Sequence, residues 1–122
     1  MFFRVILLLF IFSSVAVAEI DVVSGSRADY WNKLYESYRQ HYGLTAVNVK
    51  VRFVRIEMLN RRFPALGHKA GAWDGQTIWV GNNGDQLNTF IHELSHVYGY
   101  GEDESTRRAT QDLDVILAGA GV

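Results

Sequence analysis

The chain has 122 residues, of which 48% are apolar, 20% charged and 13% aromatic, with one proline, no cysteine and a formal net charge of -1. Twelve Lys and Arg against 13 Asp and Glu leave no cationic excess to hold a phosphate backbone, so no nucleic-acid partner is expected. The lack of cysteine excludes disulfide frameworks, thiolate zinc sites and thiol nucleophiles, so any metal must be held by His, Asp or Glu.

Residues 1–18, MFFRVILLLFIFSSVAVA, combine one positive residue, Arg4, an apolar run from Val5 to Phe12 and the small-residue ending Ala16-Val17-Ala18. This is the pattern of a secretory signal peptide cut before Glu19. The apolar run is well short of the roughly 20 residues that span a bilayer, so no membrane association is expected after cleavage. Removing these 18 residues takes Arg4 with them and leaves a single domain, residues 19–122, of 104 residues and net charge -2. An export signal without cysteine points to the bacterial periplasm or exterior.

From Ala28 to Tyr42, Trp31, Leu34, Tyr35, Tyr38 and Tyr42 recur at helical spacing, with Ser26 or Asp29 as the N-cap and Gly43 as the stop. Val47, Val49, Val51 and Phe53 then alternate with polar residues, the period of a strand with one face on a core. Ile56 to Leu66, with Arg61-Arg62 and Pro64, reads as irregular chain or a short helical turn, its arginines on a solvated face. His68–Trp73 and Gln76–Val80 flank Asp74-Gly75, a dipeptide suited to a hairpin turn. After the loop Gly81–Gly84, Asp85 caps a helix predicted to reach Tyr98, ended by Gly99 and Gly101. A last helix is expected from Asp103 to Ala118, with Ala109, Leu113, Ile116 and Leu117 inward and Gly119 as its end. Strands gathered before a terminal helix pair predict an α+β fold with a small three-stranded sheet, rather than a parallel βαβ sheet.

The helix from Asp85 carries His92-Glu93-Leu94-Ser95-His96. Histidines four apart lie on one helical face, so both imidazoles can converge on one ion, and the intervening glutamate reaches a metal-bound water. On a wheel of about 100° per residue, Leu87, Phe90, Ile91, Leu94 and Tyr98 cluster on one side and His92 and His96 on the other. With four His and six Glu in the chain, the motif arises by chance in roughly 0.6% of such sequences. A catalytic zinc needs a third ligand close by, and Glu102, Asp103 and Glu104 are the candidates.

These residues resemble the HExxH pattern of the zincin metallopeptidases. In the metzincin register HExxHxxGxx plus a ligand, His92 to Glu102 aligns with Glu102 as the third ligand, although that family supplies His or Asp there and a later methionine turn, and no methionine follows Met58. In the gluzincin register of small ImmA/IrrE-type peptidases, Glu102 to Ala109 is similar to a ligand-bearing second helix, and its first glutamate is again Glu102, with Glu104 as the alternate. The resemblance, which covers Gln76 to Ala109, implies a minimal zincin-like fold and Zn2+ held by His92, His96 and Glu102. It implies peptide-bond hydrolysis with Glu93 as general base on a peptide or protein substrate. It also implies an oxyanion stabiliser, for which Tyr100, His68 and Tyr98 are available, Tyr98 being placed rather by packing. By position before the active helix, Gln76–Val80, with Ile78 and Trp79, is similar to the strand that pairs with extended substrates. Two other classes of function compete: a non-catalytic, zinc-stabilised binding or immunity-type module, which a fourth protein ligand would mark, and a zinc-free structural domain.

Overall fold

The computed structural model describes residues 20–24, 27–64, 70–82 and 85–122; the expected signal peptide and His68 lie outside them. The described elements are β1 (Asp21–Ser24), α1 (Ala28–Tyr42), β2 (Lys50–Val54), α2 (Ile56–Arg62), β3 (Gly71–Trp73), β4 (Thr77–Gly81), α3 (Gln86–Val97), α4 (Glu102–Thr110) and α5 (Leu113–Ala120). Five helices thus accompany a four-stranded sheet, a mixed α and β architecture, and none of the described helices is long and apolar enough to cross a membrane.

The sheet order is β1-β2-β4-β3, with β1 and β2 parallel, β2 and β4 parallel, and β3 antiparallel to β4. The sequence pattern led to three strands without a parallel crossover, and β1 changes both expectations: with α1 and β2 it forms a parallel βαβ unit. Its register places Val22 opposite Val51. The hairpin forms as read, but its turn takes three residues. Gly75 has φ 100, and the Asp74 carboxylate accepts from the backbone N–H groups of Gln76 at 2.9 Å and Thr77 at 2.8 Å.

The periodicity of α1 is obeyed in space. Trp31, Leu34, Tyr35 and Tyr38 are buried against Val51, Ile78 and Val80 of the sheet and Phe90, Ile91 and Leu94 of α3. The helix starts without the expected cap: Arg27 precedes it in a left-handed conformation, φ 67, and lays its guanidinium 3.9 Å over the Tyr30 ring. Gly43, φ 65, ends it. The segment left open as irregular or helical is α2, which packs on β4 and buries Leu59, while Arg61 and Arg62 stay exposed.

The single C-terminal helix expected from Asp103 to Ala118 is two helices. The break falls at Gln111 and Asp112, where the Asp112 carboxylate receives the Tyr42 hydroxyl and the Arg107 guanidinium. These bonds hold the break, and α5 turns to pack along α1. The seam is tight. Ser37 Oγ donates to the Ile116 carbonyl at 2.6 Å, and a Cβ built on Gly119 would meet Ser37 Oγ at 2.5 Å.

Gly119→Ala therefore overfills the α1–α5 seam and strips the Ser37–Ile116 hydrogen bond. The lost hydrogen bond costs about 1–3 kcal/mol and the better helix propensity of Ala offsets about 1, so a net loss of up to about 2 kcal/mol is expected in chemical denaturation. A variant stabilised by the full propensity gain would show that α5 slides along α1 without cost.

Candidate metal centre

The helix α3 is set by its own residues at both ends. Asp85 Oδ1 accepts from the Asn88 N–H at 3.1 Å, and at the other end the Gly99 N–H reaches the His96 carbonyl at 2.9 Å with Gly99 at φ 89. Phe90, Ile91 and Leu94 go to the core, as the wheel requires, which turns His92 and His96 away from it. Glu93 lies between these faces, only 9% exposed, where α3 meets β3.

The turn after α3 carries the third group in. The Tyr100 N–H bonds the Ser95 carbonyl at 3.1 Å, Gly101 provides an extended N-cap, and α4 opens with Glu102. His92 Nε2 and His96 Nε2 are 3.2 Å apart; Glu102 Oε1 is 3.0 Å from the latter and Oε2 3.2 Å from the former. One ligand atom from each residue falls within 4.8 Å of the other two, so this group could hold a metal ion. Tetrahedral zinc with bonds of about 2.0–2.1 Å separates its ligand atoms by about 3.3 Å, close to the spacing found here.

The protonation pattern adds to this. His96 Nδ1 lies 2.9 Å from the Tyr100 carbonyl, which can only accept, so Nδ1 carries the proton. In the neutral ring Nε2 then presents a lone pair toward the Glu102 carboxylate. An arrangement of facing electron pairs calls for a proton or a cation between them. The position suits positive charge, because His96 is in the last turn of α3, where the backbone carbonyls face the site. When a proton fills that position, desolvation pushes the Glu102 carboxyl up, but the charge of His92 and the hydrogen bonds of both rings outweigh it and hold the carboxyl below its ordinary range. The Glu102 side chain remains 67% exposed, so the centre opens to solvent.

A cleft of about 580 Å³ holds His92, Glu93, His96 and Glu102 together, with β3 and Tyr100 on its walls. The remaining predicted residues fare differently. The alternate ligand Glu104 is engaged elsewhere: its carboxylate takes Arg107 Nη2 at 2.7 Å and Arg108 Nε at 2.8 Å, which holds its pKa down at about 2. Tyr98 is a packing residue. Its hydroxyl donates to the Thr45 carbonyl at 2.6 Å and meets the Tyr35 hydroxyl at 3.1 Å, and burial followed by that neighbour pushes its phenol far above the ordinary range. Tyr100 reaches the cleft, while its backbone carbonyl supports His96.

The expectation that Gln76–Val80 meets a substrate is corrected. β4 is hydrogen-bonded to a strand on each side, and Ile78 is fully buried in the core. Trp79 alternates to the opposite face, packed against Phe63 with Nε1 bonded to Asp74. The edge strand beside the cleft is β3 instead. Its Gly71 was not singled out by sequence: a Cβ there would lie 2.4 Å from Thr89 Cγ2, 2.8 Å from the Trp79 carbonyl oxygen and 3.3 Å from Glu93 Cγ. Only glycine lets β3 approach α3 this closely. A strand glycine signals such an approach, but the partner helix is not written in its neighbours.

Comparison with protein-family models, with curated proteins and with solved structures finds no match for this chain.

Two expectations follow from these contacts. Gly71→Ala drives a Cβ into Thr89 and Glu93 of α3, and the Trp79 carbonyl of β4 on its other side leaves no room to retreat, so the α3 side chains must give, with a loss of about 1–3 kcal/mol in denaturation and a displaced Glu93 in a crystal structure. An unmoved Glu93 would refute the close-approach argument. Glu104, with its folded-state pKa below the ordinary 4.5, stabilises the fold above that pH, and the contribution fades as pH falls toward about 2. In chelator, the stability gap between the parent and Glu104→Gln should be constant at neutral pH and close over that acid window; a gap that persists unchanged at the acid end would show the ion pairs to be inert.

Proposed function

We propose that this chain is an exported zinc-dependent peptidase of zincin-like design. The observation that carries the reading is the triangle of His92 Nε2, His96 Nε2 and Glu102, with sides near 3 Å, sharing one cleft with the buried carboxylate of Glu93. The donor set fits: two neutral imidazoles and one carboxylate are a common catalytic zinc set, leaving a coordination position for water or substrate. Zinc held there would polarise a carbonyl and acidify a water molecule.

The protein's own part falls to residues already in place. Glu93 takes the proton of the attacking water as its oxygen bonds to the carbonyl carbon, then returns that proton to the amine nitrogen as the C–N bond breaks. Burial against β3 limits the rotamers open to Glu93. The outer edge of β3 has no strand beside it in the described sheet, so an extended peptide can add there, in main-chain register with the cleft. The leader reading places this activity in the periplasm or outside the cell. The competing reading, a zinc-stabilised binding or immunity-type module, draws support from ligands that span two helices. It requires a fourth protein ligand, and the group among the described residues has three.

The protein freed of its leader should bind about one zinc, and His96→Ala should lose most of it. Glu93→Gln should retain zinc and cleave a mixed peptide library about 100- to 10,000-fold more slowly, followed by mass spectrometry. Equal cleavage by Glu93→Gln and parent would end the catalytic assignment, and an absence of zinc binding would end the whole reading.

A further inference from the structure

The turn that joins the two ligand-bearing helices has little stiffness of its own. Tyr100 sits between Gly99, at φ 89, and Gly101, yet its carbonyl must stay aimed at His96 Nδ1. Two polar contacts along the turn help: the Tyr100 N–H to the Ser95 carbonyl at 3.1 Å, and Ser105 Oγ to the Tyr100 carbonyl at 3.4 Å. The Tyr100 side chain is anchored by an arginine that α4 buries. Arg108 has a side chain only 7% exposed, and its guanidinium carbon lies 3.7 Å from the centroids of both the Tyr42 and the Tyr100 rings. Its Nε donates to Glu104 at 2.8 Å and its Nη1 to the Tyr38 hydroxyl at 3.0 Å; that hydroxyl meets Ser95 Oγ at 2.9 Å.

A buried guanidinium is costly unless its charge and donors are met. Here a carboxylate, a phenol and two ring faces meet them, from α1, α4 and the Tyr100 turn. Arginine is required for this. Its flat, delocalised cation offers two faces for stacking while its edge donates in the plane, whereas the ammonium of lysine has no faces to offer.

Resting on the metal reading above, we infer that Arg108 is a positioning residue of the centre: clamped between Tyr42 and Tyr100, it fixes the Tyr100 peptide and thereby the His96 ring in its ligating orientation. Groups that orient a ligating histidine through its second nitrogen contribute about 10- to 100-fold to metal affinity. The chain of contacts runs from Glu104 through Arg108 and the Tyr100 ring to the Tyr100 carbonyl and His96 Nδ1. Glu104, displaced as a ligand, thus acts one step behind the site.

The test measures cobalt(II) affinity by chelator competition and the visible absorption of the cobalt-loaded protein. Arg108→Met should bind about 10- to 100-fold more weakly with altered visible bands. Gly119→Ala, destabilised at the α1–α5 seam, should keep the parent affinity and bands, separating positioning from general loss of stability. Should Arg108→Met fail to fold, Tyr100→Phe and Tyr100→Leu decide: the ring of the first preserves affinity, and the second loses it to the same degree as expected for Arg108→Met. A parent that binds cobalt alongside an Arg108→Met, or a Tyr100→Leu, that binds it within twofold overturns the inference and leaves the metal reading standing. A parent that binds neither cobalt nor zinc overturns both.

Discussion

The imidazole nitrogens of residues 92 and 96 lie 3.2 Å apart with the carboxylate of residue 102 beside them, one carboxylate oxygen facing each ring at 3.0–3.2 Å, and the rest of the molecule holds them there. Such convergence calls for a proton or a cation between the facing groups, because the carboxylate and an unprotonated imidazole nitrogen present lone pairs to each other. The fold meets the requirement through two helices. One presents both imidazoles on one face, His96 in its last turn, and the next begins, after a turn that includes two glycines and a tyrosine, with the carboxylate. Everything that fixes the relative placement of α3 and α4 therefore also fixes the site.

Those fixings do not themselves involve a metal ion. Asn88 Nδ2 donates to the Ala109 carbonyl at 2.9 Å, Ala109 is fully buried against the shared core, and Arg108 closes the rear of the interface against α1. If the site binds a metal as proposed, support of this kind would leave it preorganised, with little of the binding free energy consumed in assembling the ligands. This differs from small structural zinc domains, where binding and folding are one event. The distinction bears on the proposed catalytic reading, since an open, preorganised centre beside a buried general base is what hydrolysis needs and a structural tie does not.

The parts of this arrangement that were legible in the sequence are local ones. The apolar stripe of α3, the Asp85 cap and the opposed histidine face follow from a period of 3.6 and a spacing of four, and the structure keeps them. Glu102 is singled out because two registers of one resemblance fall on it, and the structure brings its carboxylate beside the two imidazoles. What was hidden depends on partners remote in the chain. β1 offers too few residues for a period, and its role is decided by parallel pairing with β2 across a whole helix. The break between α4 and α5 is held by Tyr42 and Arg107 at Asp112, while the helical period runs through it. β4 reads in sequence as an edge strand, but its proximity in sequence to α3 says nothing about which strand ends the sheet.

Arg108 shows why charge is a poor guide to exposure in so small a domain. In sequence it belongs to a polar stretch, Glu102 to Thr110, in which Ala109 is the one apolar residue. In space two tyrosine rings and a phenol take it in, and its neighbour Arg107 keeps to the rim with a side chain 40% exposed. A hydrocarbon side chain at position 108 would fill the same volume at lower desolvation cost, so burying a cation there is hard to account for by stability alone. The planar cation supplies orientation, since it lies 3.7 Å from the centres of two rings and gives its N–H groups to Glu104 and Tyr38. One of those rings belongs to the residue whose carbonyl holds His96. The cost of the buried charge therefore falls where the angle of an imidazole matters most, and an apolar core could not supply that directional constraint.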